Sequence, residues 1–197
     1  MINIHDITNT IFKSKTYILY KEDCSYVWLV DIGDIEPVVS FLNANNLIVA
    51  GVFLTHAHFD HIYGLEELVE RYSECKVIVC EYAKQALSSD KLNMSKYHGT
   101  PINFTCGNVI VVHEGESMII FKGEPKMEFY ETPGHNPGCL TMVLGNHIFT
   151  GDSYIPGVGA NTRLPRADKV LARVSLDRIM KLADGKVIHS GHQINKQ

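Results

Sequence analysis

Seven residues, Thr55-His56-Ala57-His58-Phe59-Asp60-His61, carry three imidazoles and a carboxylate. Neutral imidazole and carboxylate are the usual donors to zinc and similar borderline cations, so this density predicts a metal centre. His56 and His58 lie two apart and project to the same side of an extended chain, where they can share one ion. Asp60 and His61 are adjacent where the chain turns, point elsewhere, and suit a second ion beside the first. Two such ions, ~3.5–4 Å apart, can lower the pKa of a shared water from 15.7 towards ~7 and polarise the carbonyl it attacks. The expected chemistry is hydrolysis.

The elements around this cluster are those needed to present it. An apolar β-type run, residues 47–54, precedes it, and a helical pattern begins near Ile62 with Leu65, Leu68, Val69 and Tyr72 on one face. The ligands therefore fall on a strand-to-helix loop, where a rigid scaffold can hold them. Upstream, β-branched and aromatic runs predict strands at Ile7–Phe12, Thr16–Lys21 and Tyr26–Ile32. Trp28 belongs to the core. Asp31 ends the third of these strands, either as a turn residue or as the acceptor that fixes a metal-bound imidazole from behind. Asp34 reads as the N-cap of a short helix containing Val38, Phe41 and Leu42.

Downstream, a strand at Lys76–Cys80 and a helix at Tyr82–Leu87 lead into Ser88–Phe104, where periodicity vanishes. A loop of that length suggests a lid, with Tyr97 and His98 as candidate substrate contacts. Strands follow at Val109–His113, Ser117–Phe121, Lys126–Thr132, Cys139–Leu144 and His147–Thr150, the last two joined by a Gly145-Asn146 turn. A helix spans about Ala167–Ala183, with Val170, Leu171, Val174, Ile179 and Leu182 among its apolar positions, before a final strand at Lys186–His189. A meander followed by alternating strands and helices, twice, predicts a mixed α/β sandwich. With 197 residues and no internal boundary, one domain over 1–197 is expected.

Hydrophobic residues at 45% and charged residues at 20% describe an ordinary globular chain. A net charge of −4 argues against a broad phosphate-binding face, so nucleic acid is not an expected partner, and a small-molecule substrate is. No leader-like amino terminus and no 18-residue apolar run point to a protein that stays in the cytoplasm without a membrane anchor; a homo-oligomer stays open. Cys24, Cys75, Cys80, Cys106 and Cys139 are odd in number and lack a C-x-x-C pair, as reduced thiols would be. Cys139 is the one to locate relative to the metals.

Three further ligands follow at the ends of strands: His135 in T-P-G-H-N-P-G, Asp152 in G-D and His192 in S-G-H. Through these motifs and T-H-A-H-F-D-H, over nearly its whole length, the sequence resembles the metallo-β-lactamase superfamily, and within it the glyoxalase II (hydroxyacylglutathione hydrolase) type and its short relatives. The resemblance implies an αββα sandwich of two mixed β-sheets flanked by helices. It implies that His56, His58 and His135 hold one divalent ion, that Asp60, His61 and His192 hold another, and that Asp152 bridges them. Zinc is the expected ion, with iron and manganese compatible. The implied reaction is attack of a bridging hydroxide on a small thioester or ester, Asp60 and Asp152 being the catalytic carboxylates and Asp60 a proton acceptor.

The alternatives are a mononuclear iron, persulfide dioxygenase-like oxidoreductase, or a hydrolase of a lactone or phosphoester. Asp152, where several β-lactamases place cysteine, speaks against the antibiotic-cleaving branch. Glyoxalase II enzymes carry an extra carboxy-terminal helical domain with glutathione contacts, whereas this sequence ends five residues after His192 and lacks their Lys/Arg-Phe-Tyr element after Asp152. The chemistry should carry over better than the substrate. Substrate choice is expected to lie in residues 88–104 and 153–166, with Tyr154, Arg163 and Arg166 the candidates for substrate binding.

Overall fold

The computed structural model describes residues 1–193. Its strands are β1 (Asn3–Thr8), β2 (Lys15–Tyr20), β3 (Tyr26–Val30), β4 (Ile48–Phe53), β5 (Lys76–Val79), β6 (Val109–Val111), β7 (Ser117–Met118), β8 (Met127–Glu131), β9 (Leu140–Leu144), β10 (His147–Gly151) and β11 (Val187–Ser190). Its helices are α1 (Ile35–Asn45), α2 (Leu65–Arg71), α3 (Glu81–Leu87) and α4 (Lys169–Leu182), with 3-10 turns at Phe59–His61 and Ser95–Tyr97.

Two sheets form, one in the order β1-β2-β3-β4-β5-β6 and the other β11-β10-β9-β8-β7. The first is antiparallel across β1, β2 and β3 and parallel from β3 to β6. Parallel neighbours need crossover connections, and α1, α2 and α3 supply them. The second is antiparallel except for the parallel pair β10 and β11, which α4 connects. This is the expected αββα sandwich of two mixed sheets flanked by helices. Among the described residues no helix is long and apolar enough to cross a membrane.

The core lies between the sheets. Trp28 stacks on Phe53 at 5.0 Å, and Phe53 meets Phe129 of the facing sheet at 5.7 Å. Trp28 also donates Nε1–H to the Ile120 carbonyl at 3.1 Å, which satisfies its one polar atom. Gly51 permits the close approach: a Cβ there would stand 2.5 Å from Trp28 Cζ3. A smaller cluster, Val143, Ile148, Ile179 and Ala183, packs α4 against the second sheet.

Several boundaries differ from the sequence pattern. The first strand is Asn3–Thr8, not Ile7–Phe12, because the chain turns back to pair Thr8 with Lys15. Phe12 and Lys13 both adopt left-handed backbone, at φ +52° and +59°, and cannot continue a strand. Asp34 precedes α1, yet its side chain caps nothing. It accepts hydrogen bonds from Thr10 N–H, Thr10 Oγ1–H and Tyr63 O–H instead, tying the β1–β2 turn to the start of the helix. On α4, Asp168 caps through Val170 N–H and Leu171 N–H, while Val170, Leu171 and Val174 stay exposed and Ile179 alone of the named apolar positions is fully buried. Residues 88–104 are not loose: buried Asn93 donates to the Ala86 and Ile102 carbonyls and accepts from Ser95 N–H.

Candidate metal centre

β3 and β4 run parallel, and so do β8, β10 and β11, since β9 is antiparallel to both β8 and β10. Their carboxyl ends therefore open on one edge of the sandwich. Each of the four motifs begins there: Thr55–His61 after β4, Thr132–Gly138 after β8, Asp152 after β10 and His192 after β11. The edges are stitched together. Leu140 N–H donates to the Thr55 carbonyl at 2.7 Å, Lys15 N–H to the Gly191 carbonyl at 2.8 Å, and Tyr17 O–H to the Ser190 carbonyl at 2.6 Å.

The seven expected ligands converge. His56, His58 and His135 form one group whose candidate ligand atoms lie within 4.8 Å of one another, and Asp60, His61 and His192 form another. His56, His61 and Asp152 make a third that joins them. Asp152 reaches both ways: Oδ1 is 3.5 Å from His61 Nε2, while Oδ2 is 3.4 Å from His135 Nε2 and 3.2 Å from His192 Nε2. Asp60 Oδ2 lies 3.5 Å from His61 Nε2 and 3.4 Å from His192 Nε2.

What aims the rings is behind them. His61 Nδ1 donates to Asp31 Oδ2 at 2.9 Å, and that carboxylate also accepts from Thr55 N–H and Thr55 Oγ1–H, both at 2.7 Å. With its hydroxyl proton committed to Asp31, Thr55 Oγ1 can only accept from His56 Nδ1, 3.1 Å away. His135 Nδ1 donates to the Asn161 carbonyl at 3.0 Å and His192 Nδ1 to the Phe12 carbonyl at 2.9 Å. In each case the proton is held on the outer nitrogen, and the lone pair of Nε2 points inward. His58 is the exception. Asn136 Oδ1 is occupied by Gly138 N–H, so its amide donates to His58 Nε2 at 2.9 Å, and His58 Nδ1 faces His135 Nε2 at 2.9 Å. A cation held by His58 and His135 would take the place of the proton between those two nitrogens.

Protonation divides the cluster. Burial, with His61 and His58 close by, holds His56 well below its ordinary value. Burial and then His135 push His58 down to about 3, and burial lowers His135 as well. At neutral pH these three are neutral imidazoles, the form that binds a cation. Burial acts the same way on His61, but the carboxylates of Asp60, Asp152 and Asp31 outweigh it and hold His61 well above its ordinary value. His192 is raised too, burial being outweighed by the Asp152 carboxylate. Burial opposes ionisation of Asp152, yet His61 and His192 keep it well below the usual carboxylate range.

Two buried atoms test the fit to a metal. His56 Nε2 and Asp152 Oδ1 have no hydrogen-bond partner among the described residues. Buried polar atoms are seldom left so, and both point into the cluster where a cation would satisfy them. The donor set, five imidazoles and two carboxylates, suits a divalent ion of the zinc or iron kind.

A cavity of about 420 Å³ opens over the cluster, lined by Phe12, Phe59, Met94, His98, Ile155, Asn161 and Leu164 besides the ligands. His98 thus reaches the site and Tyr97, largely exposed, does not. Asn161 and Leu164 line it, not their neighbours Arg163 and Arg166; Arg166 lies close enough to the Tyr82 phenol to act on its ionisation. Tyr154 packs beneath α4 against the smaller cluster. Cys139 is buried beside Ser153, its thiol pushed up by burial, and it joins none of the ligand groups. Met94, Ile155 and Leu164 fall within the stretches 88–104 and 153–166 expected to choose the substrate, though the sequence did not single them out, and Phe12 carried no sign; Asn161 acts through a backbone carbonyl that any residue could supply.

A family model described as the metallo-beta-lactamase superfamily matches residues 40–192. The chain belongs to this superfamily. Among solved structures, it is 26% identical to the B3 metallo-beta-lactamase BLEG-1, at a TM-score of 0.88 over 98% of this chain and 92% of that one. It is also 26% identical to TTHA1623, solved in a di-iron-bound form, at 0.81 over 96% and 92%. ETHE1 from Myxococcus xanthus, at 21% identity and 0.78 over 99% and 77%, shares the superfamily fold. The histidine and aspartate groups of this chain are placed as a site for divalent metals would be.

Proposed function

We propose that this protein is a binuclear metal-dependent hydrolase that cleaves a small thioester or ester, in the manner of the glyoxalase II type. The observation that carries the reading is the pair of opposed ligand groups with Asp152 reaching into both. Two cations held by these groups would repel, and the Asp152 carboxylate, which reaches both, would offset that repulsion. Zinc is the first expectation, and the di-iron form of TTHA1623 supports both a count of two and iron as the other choice. Bound ions of this kind polarise a carbonyl oxygen and bring the pKa of water towards ~7.

The chain's own groups do the rest. Four of the five imidazoles, His56, His61, His135 and His192, are turned Nε2-inward by the outer contacts described above. Asp60 lines the cavity and can accept the proton of the added hydroxyl as the tetrahedral intermediate collapses, passing it to the departing thiolate or alkoxide. The products are a carboxylic acid and a thiol or alcohol, released through the cavity mouth. A cavity of this size supports a small-molecule substrate, and five free cysteines agree with a reducing cytoplasm.

Elemental analysis of purified protein, combined with a panel of thioesters, tests the reading. Two ions per chain and thioester turnover are expected; one iron per chain with oxygen consumption on a persulfide would refute it. His58→Ala and Asp152→Ala should each abolish hydrolysis while the circular dichroism spectrum is unchanged. Near wild-type turnover by either variant refutes the assignment. A second reading, opening of a β-lactam ring, draws on the likeness to BLEG-1, which weakens the argument from Asp152 against that branch. Turnover of nitrocefin above that of any thioester would favour it.

A further inference from the structure

The cavity over the ligands has two unlike halves. Its floor is the metal-binding cluster, which any hydrolysable carbonyl must meet. Its walls are Phe12, Phe59, Met94, Ile155 and Leu164, with His98 against the first two. The rings form a set: His98 stacks on Phe59 at 4.3 Å and 12°, and Phe12 stands edge-on to Phe59 at 5.6 Å and to His98 at 5.5 Å.

Phe12 is the informative member. It is 59% exposed, a large aromatic left open at the mouth of the site. Its backbone is left-handed, an arrangement that costs free energy for a bulky residue, and so is that of Lys13. The position is nevertheless fixed, because the Phe12 carbonyl holds His192 Nδ1 and the Lys13 carbonyl accepts from Gln193 N–H. A ring fixed in the open beside a catalytic floor is a surface awaiting an apolar partner. Among the described residues, no lysine or arginine lines the cavity. A carboxylate on the distal part of a substrate would lie against those walls without a counter-charge, which is costly.

We infer that the part of the substrate beyond the scissile carbonyl is an uncharged apolar group, aromatic or branched aliphatic, and that an anionic thiol of the glutathione kind is disfavoured. The inference rests on the hydrolase reading above and names its substrate class. Enclosure against the aromatic wall supplies the binding free energy, while the metal-binding floor receives the carbonyl.

The test uses the metal-loaded full chain and two thioesters with one acyl group, S-lactoyl benzyl thiol and S-lactoylglutathione. We expect kcat/KM to favour the benzyl ester at least tenfold. Phe12→Ala, which keeps the carbonyl on His192, should shrink that ratio at least threefold through KM, and Leu164→Arg should move the preference towards glutathione. Equal or better use of S-lactoylglutathione by the wild type overturns the inference. Calorimetric titration with the two matching S-(2-oxopropyl) thioethers, which cannot be hydrolysed, separates this claim from the reading it rests on. If neither ester turns over, the hydrolase reading fails, and tighter binding of the benzyl thioether still supports the apolar subsite. Equal or tighter binding of the glutathione thioether overturns it.

Discussion

Asp31→Asn is a nearly isosteric change that should damage the metal centre without unfolding the chain. Asp31 is buried at the end of β3 with left-handed backbone, φ +56°, which asparagine also tolerates. Its two oxygens accept three hydrogen bonds, from Thr55 N–H, Thr55 Oγ1–H and His61 Nδ1–H. An amide has one oxygen. If that oxygen stays on Thr55 N–H, the new NH₂ group faces His61 Nδ1, which must then accept, and the ring proton moves to Nε2, the nitrogen that should carry a free lone pair. Loss of such an outer partner costs about 10–100-fold in metal affinity, equivalent to about 1.4–2.7 kcal/mol. Competition with a chromophoric chelator should show that loss at the Asp60, His61 and His192 group, with the circular dichroism spectrum retained. Affinity within twofold of wild type would refute the claim that Asp31 sets the tautomer of His61.

Three other consequences are open to measurement. Burial and its neighbour His147 push His189 down to about 4, so between roughly pH 6.5 and 4 the unfolded chain binds the extra proton. The neutral ring's stabilisation is complete above about pH 6.5 and declines by about 2–3 kcal/mol as pH falls towards 4; urea unfolding of chelated protein should therefore lose less between pH 7.5 and 4.5 in His189→Phe, and an unchanged slope would exclude this origin. A Cβ at Gly191 would stand 2.1 Å from Asp152 Oδ1 and 3.0 Å from His61 Cε1. Gly191→Ala should lose at least one ion per chain by elemental analysis, and full loading would contradict the geometry. Asn93→Ala removes three buried hydrogen bonds, at about 1–3 kcal/mol for each partner left unpaired, so residues 88–104 should become the first site of limited proteolysis, whereas wild-type resistance would show that Asn93 does not pin them.

The converging histidines and aspartates were legible because metal chemistry confines the donor types, and because each motif occupies a few consecutive residues at the end of a recognisable strand. His56 to His61, His135, Asp152 and His192 are such positions. Asp31 was half legible: a boundary aspartate has two ordinary uses, and only the fold brings Thr55 and His61 onto it. The cavity wall was legible only as the stretches 88–104 and 153–166, and Phe12 was not legible at all. Phe12 lies in a stretch whose β-branched residues favour a strand, and the left-handed turn that ends the strand early is decided by pairing of Thr8 with Lys15. The aperiodic stretch 88–104 suggested a lid, and Met94 and His98 within it line the cavity; that buried Asn93 organises it is something spacing cannot reveal. Arg163 and Arg166 drew notice for their charge, whereas Leu164 between them faces the cavity. Apolar positions on α4 were read from periodicity, yet Val170, Leu171 and Val174 face outward, since only the later part of the helix lies on the second sheet.

The central claim is that seven side chains from four strand ends make one centre for two ions. Native mass spectrometry of the intact chain, dialysed after loading with zinc or iron, reads that number directly. A dominant species carrying two ions is predicted for the wild type, and one or none for Asp152→Ala. A wild-type species that stops at a single ion under saturating metal would contradict it.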